Sequence, residues 1–183
     1  TPDLPKLPWH WEGGAKAFHL VAEPVRREFM PGWRFDAWGF NGCVPGPTIE
    51  VNEGDRVRIR VENRLPEATG IHWHGIELPI GMDGVPGLTQ PPIMPGESYT
   101  YEFTLHQQGT HFYHSHMAMQ EMMGMLGLFI IHPRRALRPV VDKDFGLVLQ
   151  EWAILPQSTS PNSMSMEFNW LTINGRVGPA TTP

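Results

Sequence analysis

Four histidines fall in two short clusters, Ile71-His72-Trp73-His74-Gly75 and Tyr113-His114-Ser115-His116-Met117. Side chains on a β-strand alternate between faces, so residues two apart point the same way. His72 and His74 therefore share a face, and so do His114 and His116. Two such strands side by side would gather the imidazoles into one compact set. Buried polar rings without partners are costly, whereas neutral imidazole suits Cu, Zn, Fe and Ni. A lone His-x-His is ordinarily just an exposed strand. The same hard-to-satisfy pattern occurring twice, joined by strand-and-turn sequence, points to a metal. No Cys-x-x-Cys accompanies it, which speaks against a structural zinc ribbon or finger.

The other histidines carry less. His111 has the opposite parity to His114 and His116 and is expected to face away from them as a non-ligand. His10, His19, His106 and His132 have no partner at ligand spacing and read as surface residues. Cys43 is the single cysteine, in a Gly/Pro loop, and reads as a small, partly buried thiol with no intrachain disulfide to form. Met117, Met119, Met122, Met123 and Met125 surround and follow the second cluster. Thioether is soft and suits Cu(I), but Met is also a common filler of cores, and packing is the preferred reading.

The elements that must position these residues are short strands. Ala17 to Glu23 has Phe18, Leu20 and Ala22 on one face and is expected to stop at Pro24. Trp33 to Phe40 follows a Met30-Pro31-Gly32 turn signal. Ile49 to Val51, then Arg56 to Val61 after a Glu53-Gly54-Asp55 turn, continue the pattern. The strict alternation in the latter predicts one buried face and an arginine face in solvent. Ser98 to Leu105, His111 to His116 and Gly127 to His132 complete a set of seven or eight strands, the pattern of a Greek-key β-sandwich. Residues 1–16 read as an ordered or half-ordered arm. Pro79 to Pro95 reads as a long irregular segment of the kind that serves a site or packs as a unit.

Composition agrees. Nineteen Gly and nineteen Pro among 183 residues punctuate short segments, which favours an all-β chain over a helical bundle. The net charge of −5, with no Lys/Arg run, gives no nucleic-acid footprint. The longest apolar run, Met122 to Ile131, is too short to span a bilayer. Thr1 begins without a charged or apolar leader.

The tail holds an internal echo. Phe40-Asn41-Gly42-Cys43-Val44-Pro45-Gly46-Pro47-Thr48 is repeated in outline by Ile173-Asn174-Gly175-Arg176-Val177-Gly178-Pro179-Ala180-Thr181. Such self-similarity predicts a second copy of the first domain. Phe145 to Trp152 would be its first strand and Leu155 to Asn169 a loop. Two strands cannot bury a core of their own. The expectation is therefore an N-terminal portion of a longer protein, or a piece that docks onto another.

Taken together, Asn41-Gly42…Pro45-Gly46-Pro47-Thr48-Ile49, Glu53-Gly54-Asp55, His72-Trp73-His74-Gly75, Met82-Asp83-Gly84-Val85-Pro86, Gly109-Thr110…Tyr113-His114-Ser115-His116 and Thr172-Ile173-Asn174-Gly175-Arg176 resemble the multicopper oxidases of the laccase and copper-resistance type. These stretches span most of the chain in the family's order. The resemblance implies a cupredoxin-like Greek-key β-sandwich: a first cupredoxin domain with its arm over 1–133, a linker over 134–142, and the opening strands of a second cupredoxin domain over 143–183. It implies that His72 serves a type 2 copper and that His74, His114 and His116 serve the paired type 3 coppers. It also implies that Asp83, which spacing alone leaves as a turn aspartate, assists proton delivery during O2 reduction.

The departures from the family pattern are equally specific. The family's trinuclear centre takes eight histidines and this chain supplies four. Cys43 has no flanking histidines, so no type 1 copper site is present in this sequence. A C-terminal cupredoxin domain would supply the missing ligands, and this chain alone would be inactive. The complete protein would couple oxidation of a phenolic or metal-ion donor to four-electron reduction of O2 to water, in the periplasm or outside the cell. The alternative is a non-enzymatic copper-binding or storage module. A two-domain copper nitrite reductase fits poorly, because Cys43 lacks an adjacent histidine.

Overall fold

The structure is a computed structural model that describes residues 1–135 and 140–178. Its strands are β1 (Trp9–Glu12), β2 (Ala15–Met30), β3 (Trp33–Phe40), β4 (Gly46–Asn52), β5 (Arg56–Asn63), β6 (Ile71–His74), β7 (Ser98–Thr104), β8 (Gly109–Ser115), β9 (Leu126–His132), β10 (Leu149–Trp152) and β11 (Trp170–Ile173). In one sheet β1, β2, β5 and β7 are successive neighbours, with β3 joined to β2. The order β4-β9-β8-β6 makes a second sheet, and β10 pairs with β11. Residues 136–139 of the expected linker, and Pro179, Ala180 and Thr181 of the echo, lie outside the described residues.

The alternation in β5 acts as expected. Val57, Ile59 and Val61 are fully buried, while Arg56 and Arg60 are exposed. Arg58 and Arg56 both reach Glu102 on β7, Arg58 through Nε at 2.7 Å. The inward side chains of both sheets form one core in which Trp73, Tyr101, Tyr113 and Phe129 are all inaccessible to solvent. Trp73 and Tyr113 stand directly opposite one another in the β6–β8 ladder. Their neighbours in sequence, His72, His74 and His114, must therefore lie on the outer face.

Three elements differ from the sequence reading. Pro24 does not end the strand: β2 runs through it to Met30. The parallel ladder to β5 ends at Ala22↔Asn63, and the strand continues against β3 with Pro24 opposite Trp38. Past Ala22 β2 is free of β5, and a residue without an N–H is tolerated where a ladder has ended. Within the arm, Trp9 to Glu12 is a strand hairpinned onto β2, stabilised by Lys16 Nζ 4.7 Å from the Trp9 ring centroid. In the tail, strand geometry starts at Leu149 rather than Phe145.

The echo is a repeated device in three dimensions. Asn41 (φ 49°) and Gly42 (φ 71°) form a turn with both central residues left-handed, and Asn174 (φ 50°) and Gly175 (φ 76°) form the same turn. Asn41 Oδ1 accepts from Val21 N at 3.0 Å, and its Nδ2 donates to His19 O at 3.1 Å. Asn174 Oδ1 accepts from Val148 N at 2.8 Å, and its Nδ2 reaches Gly146 O at 3.4 Å and Pro2 O at 2.8 Å. Each asparagine thus clamps residues two apart on the preceding strand segment. The β10–β11 pair packs on β2 and β3 through Trp152, whose ring lies 4.8 Å from that of Phe29 among Phe35, Val44 and Ile154.

Candidate metal centre

The register of β6 against β8 places His72 opposite His114 and His74 opposite Phe112. Ring centroids are 5.4 Å apart for His72–His74, His72–His114 and His74–His114. One nitrogen from each of His72, His74 and His114 falls within 4.8 Å of the others. His116 sits one residue past the end of β8, held by its N–H to Gly70 O at 2.9 Å. Its ring is 5.5 Å from that of His72 and 6.2 Å from that of His114, exposed at the rim and outside the tight group of three. His111 also lies outside that group, with Nε2 3.4 Å from Gln107 Nε2.

The rings are oriented by neighbours. His72 Nδ1 donates to the backbone carbonyl of Asp83 at 2.8 Å, and the Asp83 carboxylate stands 3.4 Å from the same nitrogen. His114 Nδ1 donates to Ser115 O at 3.0 Å, with the Glu121 carboxylate 3.5 Å away. Both contacts place the ring proton on Nδ1 and leave Nε2 with its lone pair, the form a metal takes. Burial holds His114 below its ordinary pKa, opposed by Glu121 and the Ser115 carbonyl and assisted by His72 and His74, so the ring is kept neutral. Phe112 stacks between His74, at 4.4 Å, and His114, at 5.1 Å, fixing both planes.

This donor set fits a transition-metal ion. His74 Nδ1 and His114 Nε2 face one another at 3.2 Å. Two nitrogens each about 2.0 Å from one ion stand about 3 Å apart, so the pair matches two ligands of a single cation. All-imidazole donors suit copper, zinc, iron or nickel rather than calcium or magnesium. Cys43 lies in the β3–β4 connection, outside this histidine cluster, with its thiol pushed up by burial.

Comparison with known proteins narrows the class. A Greek-key sandwich with outward imidazoles on paired strands is a cupredoxin-type metal scaffold. The family model for multicopper oxidase matches residues 23–136, and the chain belongs to that family. It is 46% identical over 123 residues to copper resistance protein A of Pseudomonas syringae pv. tomato, covering 67% of this chain and 20% of that protein. It is 45% identical over 142 residues to laccase-1 of Cryptococcus neoformans var. grubii, covering 69% and 23%. Among solved structures, a multicopper oxidase from Campylobacter jejuni described as a metallo-oxidase superposes with a TM-score of 0.82 at 34% identity, over 95% of this chain and 39% of the other. The blue copper oxidase from Nitrosomonas europaea gives 0.81 at 35%, over 91% and 55%. The chain spans about a fifth of the length of the curated relatives it matches. Among the described residues, no helix is long and apolar enough to cross a membrane.

The Asp83 and Ser115 carbonyls, the Phe112 stack and the Glu121 carboxylate were not singled out from the sequence. Backbone acceptors leave no compositional signal. Phe112 is signalled only by its parity with His114, a cue that spacing offers but that the aromatic-rich context obscures.

Proposed function

We propose that this chain supplies the N-terminal half of a multicopper oxidase centre. His72 would hold a type 2 copper, and His74, His114 and His116 ligands of a type 3 pair; the other four imidazoles and the type 1 site would come from a C-terminal cupredoxin domain. The observation that carries this reading is the convergence of three imidazole nitrogens within 4.8 Å, with Nδ1–H of two rings already committed to carbonyl acceptors. Copper held by these histidines would supply the redox chemistry for reducing O2 to water. The residues of this chain orient, neutralise and shield. Asp83 holds His72 through its backbone carbonyl, and its carboxylate is close enough to the same ring to pass protons toward the centre.

The domain reading has the same standing: a first cupredoxin domain over 1–133, a linker over 134–142, and the opening of a second over 143–183. The repeated asparagine clamp supports it. If Val148 corresponds to Val21, then Phe145, Leu147 and Leu149 correspond to the buried Phe18, Leu20 and Ala22. The three tail residues are exposed, as the inner face of an incomplete sandwich would be. The donor in this reading is a phenol or a metal ion, in keeping with relatives named for copper resistance and as laccases. Placement in the periplasm or outside the cell follows the same relatives.

Elemental analysis with an oxygen electrode tests this. The expected result is bound copper, lost in His72→Ala and His114→Ala, with O2 consumption only when the C-terminal domain is present. Copper bound with no turnover even in the full-length protein would favour the storage module. No copper bound would end both.

A further inference from the structure

Gln120 lies in the loop that leaves β8 after His116 and returns as β9. Its side chain turns inward and is 1% exposed, against Thr69 at 0% and Ser115 at 3%. Its Oε1 accepts from Thr69 Oγ1 at 2.8 Å and from Ser115 Oγ at 2.6 Å. Its Nε2 donates to Ala68 O at 2.8 Å and to Glu67 Oε1 at 2.8 Å. A primary amide has two acceptor sites and two hydrogens, and all four are used. The orientation is forced, since a flipped amide would set Oε1 against a carbonyl and a carboxylate that have no proton to give.

The residues it joins are the two roots of the histidine cluster. Ala68 and Thr69 lead into β6 and its His72 and His74. Ser115 lies between His114 and His116, and its Oγ also accepts from Met117 N at 3.1 Å, closing the turn that presents His116. Ser115 O is the acceptor that orients His114. Thr69 Oγ1 also lies 3.2 Å from Ser115 Oγ, and the backbone bond from His116 N to Gly70 O crosses the same end of the ladder. One buried carboxamide therefore ties the segment leading to His72 and His74 to the residue between His114 and His116.

We infer that Gln120 is a positioning residue for the copper ligands, acting through Ser115 and Thr69 to fix His114 and His116 relative to His72 and His74. The inference rests on the copper reading of that cluster. Its role differs from that of an ordinary core residue, because the groups it saturates belong to residues next to the histidines in the chain.

The test compares the whole wild-type chain with Gln120→Leu and with Thr69→Val, which keeps volume but removes one donor. Cu(II) is titrated against a competing chelator, the Cu(II) electron paramagnetic resonance spectrum is recorded, and the ring-nitrogen tautomer of His114 is read by NMR in metal-free protein. Loss of a partner that orients metal ligands typically weakens affinity about 10–100-fold. The expected result is such a loss in both variants, with an altered Cu(II) spectrum and a shifted His114 nitrogen signal. A lower melting temperature with wild-type affinity, spectrum and His114 signal would overturn the inference, leaving Gln120 merely structural. If the wild type binds no Cu(II), the site reading fails by itself. The His114 signal then decides, and an unchanged signal in the variants overturns the positioning role. If Gln120→Leu does not fold, Thr69→Val carries the same comparison.

Discussion

Gly84→Ala should damage the metal centre from outside its ligand set. Gly84 follows Asp83 with φ +85°, and a Cβ built on it would lie 1.7 Å from Ile71 O and 2.5 Å from Ile71 C. Those are backbone atoms of β6, whose ladder to β8 sets the His72–His114 register, so the strand cannot yield without undoing the cluster. The loop must move instead, and the 2.8 Å bond from His72 Nδ1 to Asp83 O breaks. A left-handed backbone for alanine costs about 1–2 kcal/mol, and loss of the hydrogen bond adds about 1 kcal/mol. The sum of about 2–3 kcal/mol corresponds to a fall of roughly 5–10 °C in melting temperature for a domain of this size. Copper affinity should drop about 10–100-fold as His72 loses its orienting partner. Gly87→Ala is the control: it lies in the same loop at φ +77°, with nothing within 4 Å of a built Cβ. It should cost about 1 kcal/mol and leave copper binding unchanged. Calorimetry with and without copper, alongside chelator competition, reads both quantities. Equal copper affinity in Gly84→Ala and Gly87→Ala would refute the reasoning.

Tyr113→Phe removes the buried hydroxyl that donates to Pro47 O at 2.7 Å; denaturant unfolding should show a loss of about 1–3 kcal/mol from the orphaned carbonyl, with copper binding intact. Because burial holds His114 below its ordinary 6.5, the unfolded chain binds a proton below that value while the folded chain does not. Metal-free stability is therefore full above about pH 6.5 and falls as pH drops from there toward the folded-state value. His114→Gln should flatten that part of the pH profile of the unfolding midpoint. Asp83→Asn keeps the carbonyl that orients His72, so copper stoichiometry should persist while O2 turnover in the full-length protein falls about 10²–10⁴-fold. Asn174→Ala deletes the second clamp, and hydrogen exchange should rise at Val148 while Val21, held by Asn41, stays protected.

Period-two spacing made the histidine strands legible, because outward imidazoles alternate with inward Trp73 and Tyr113. The same logic placed the buried face of β5 correctly. Partner exchange was not legible: β2 outlasts Pro24 because β3 takes over where β5 ends, and no local signal reports which strand lies alongside. His116 shares parity with His114 yet stands past the strand end, where alternation no longer governs position. The echo was visible as letters, but its meaning as an asparagine clamp depends on left-handed backbone and on hydrogen-bond partners twenty or more residues away.

His74 and His114 lie 40 residues apart in the chain, and the strand bearing His114 is itself tied to β9, which pairs in parallel with β4. No single hairpin contains the ligand set. A metal ion therefore cannot nucleate this polypeptide as it nucleates a zinc finger; long-range closure of the sheet has to come first, with the slow kinetics of high contact order. Under the proposed function, copper loading then follows closure of the sheet rather than driving it.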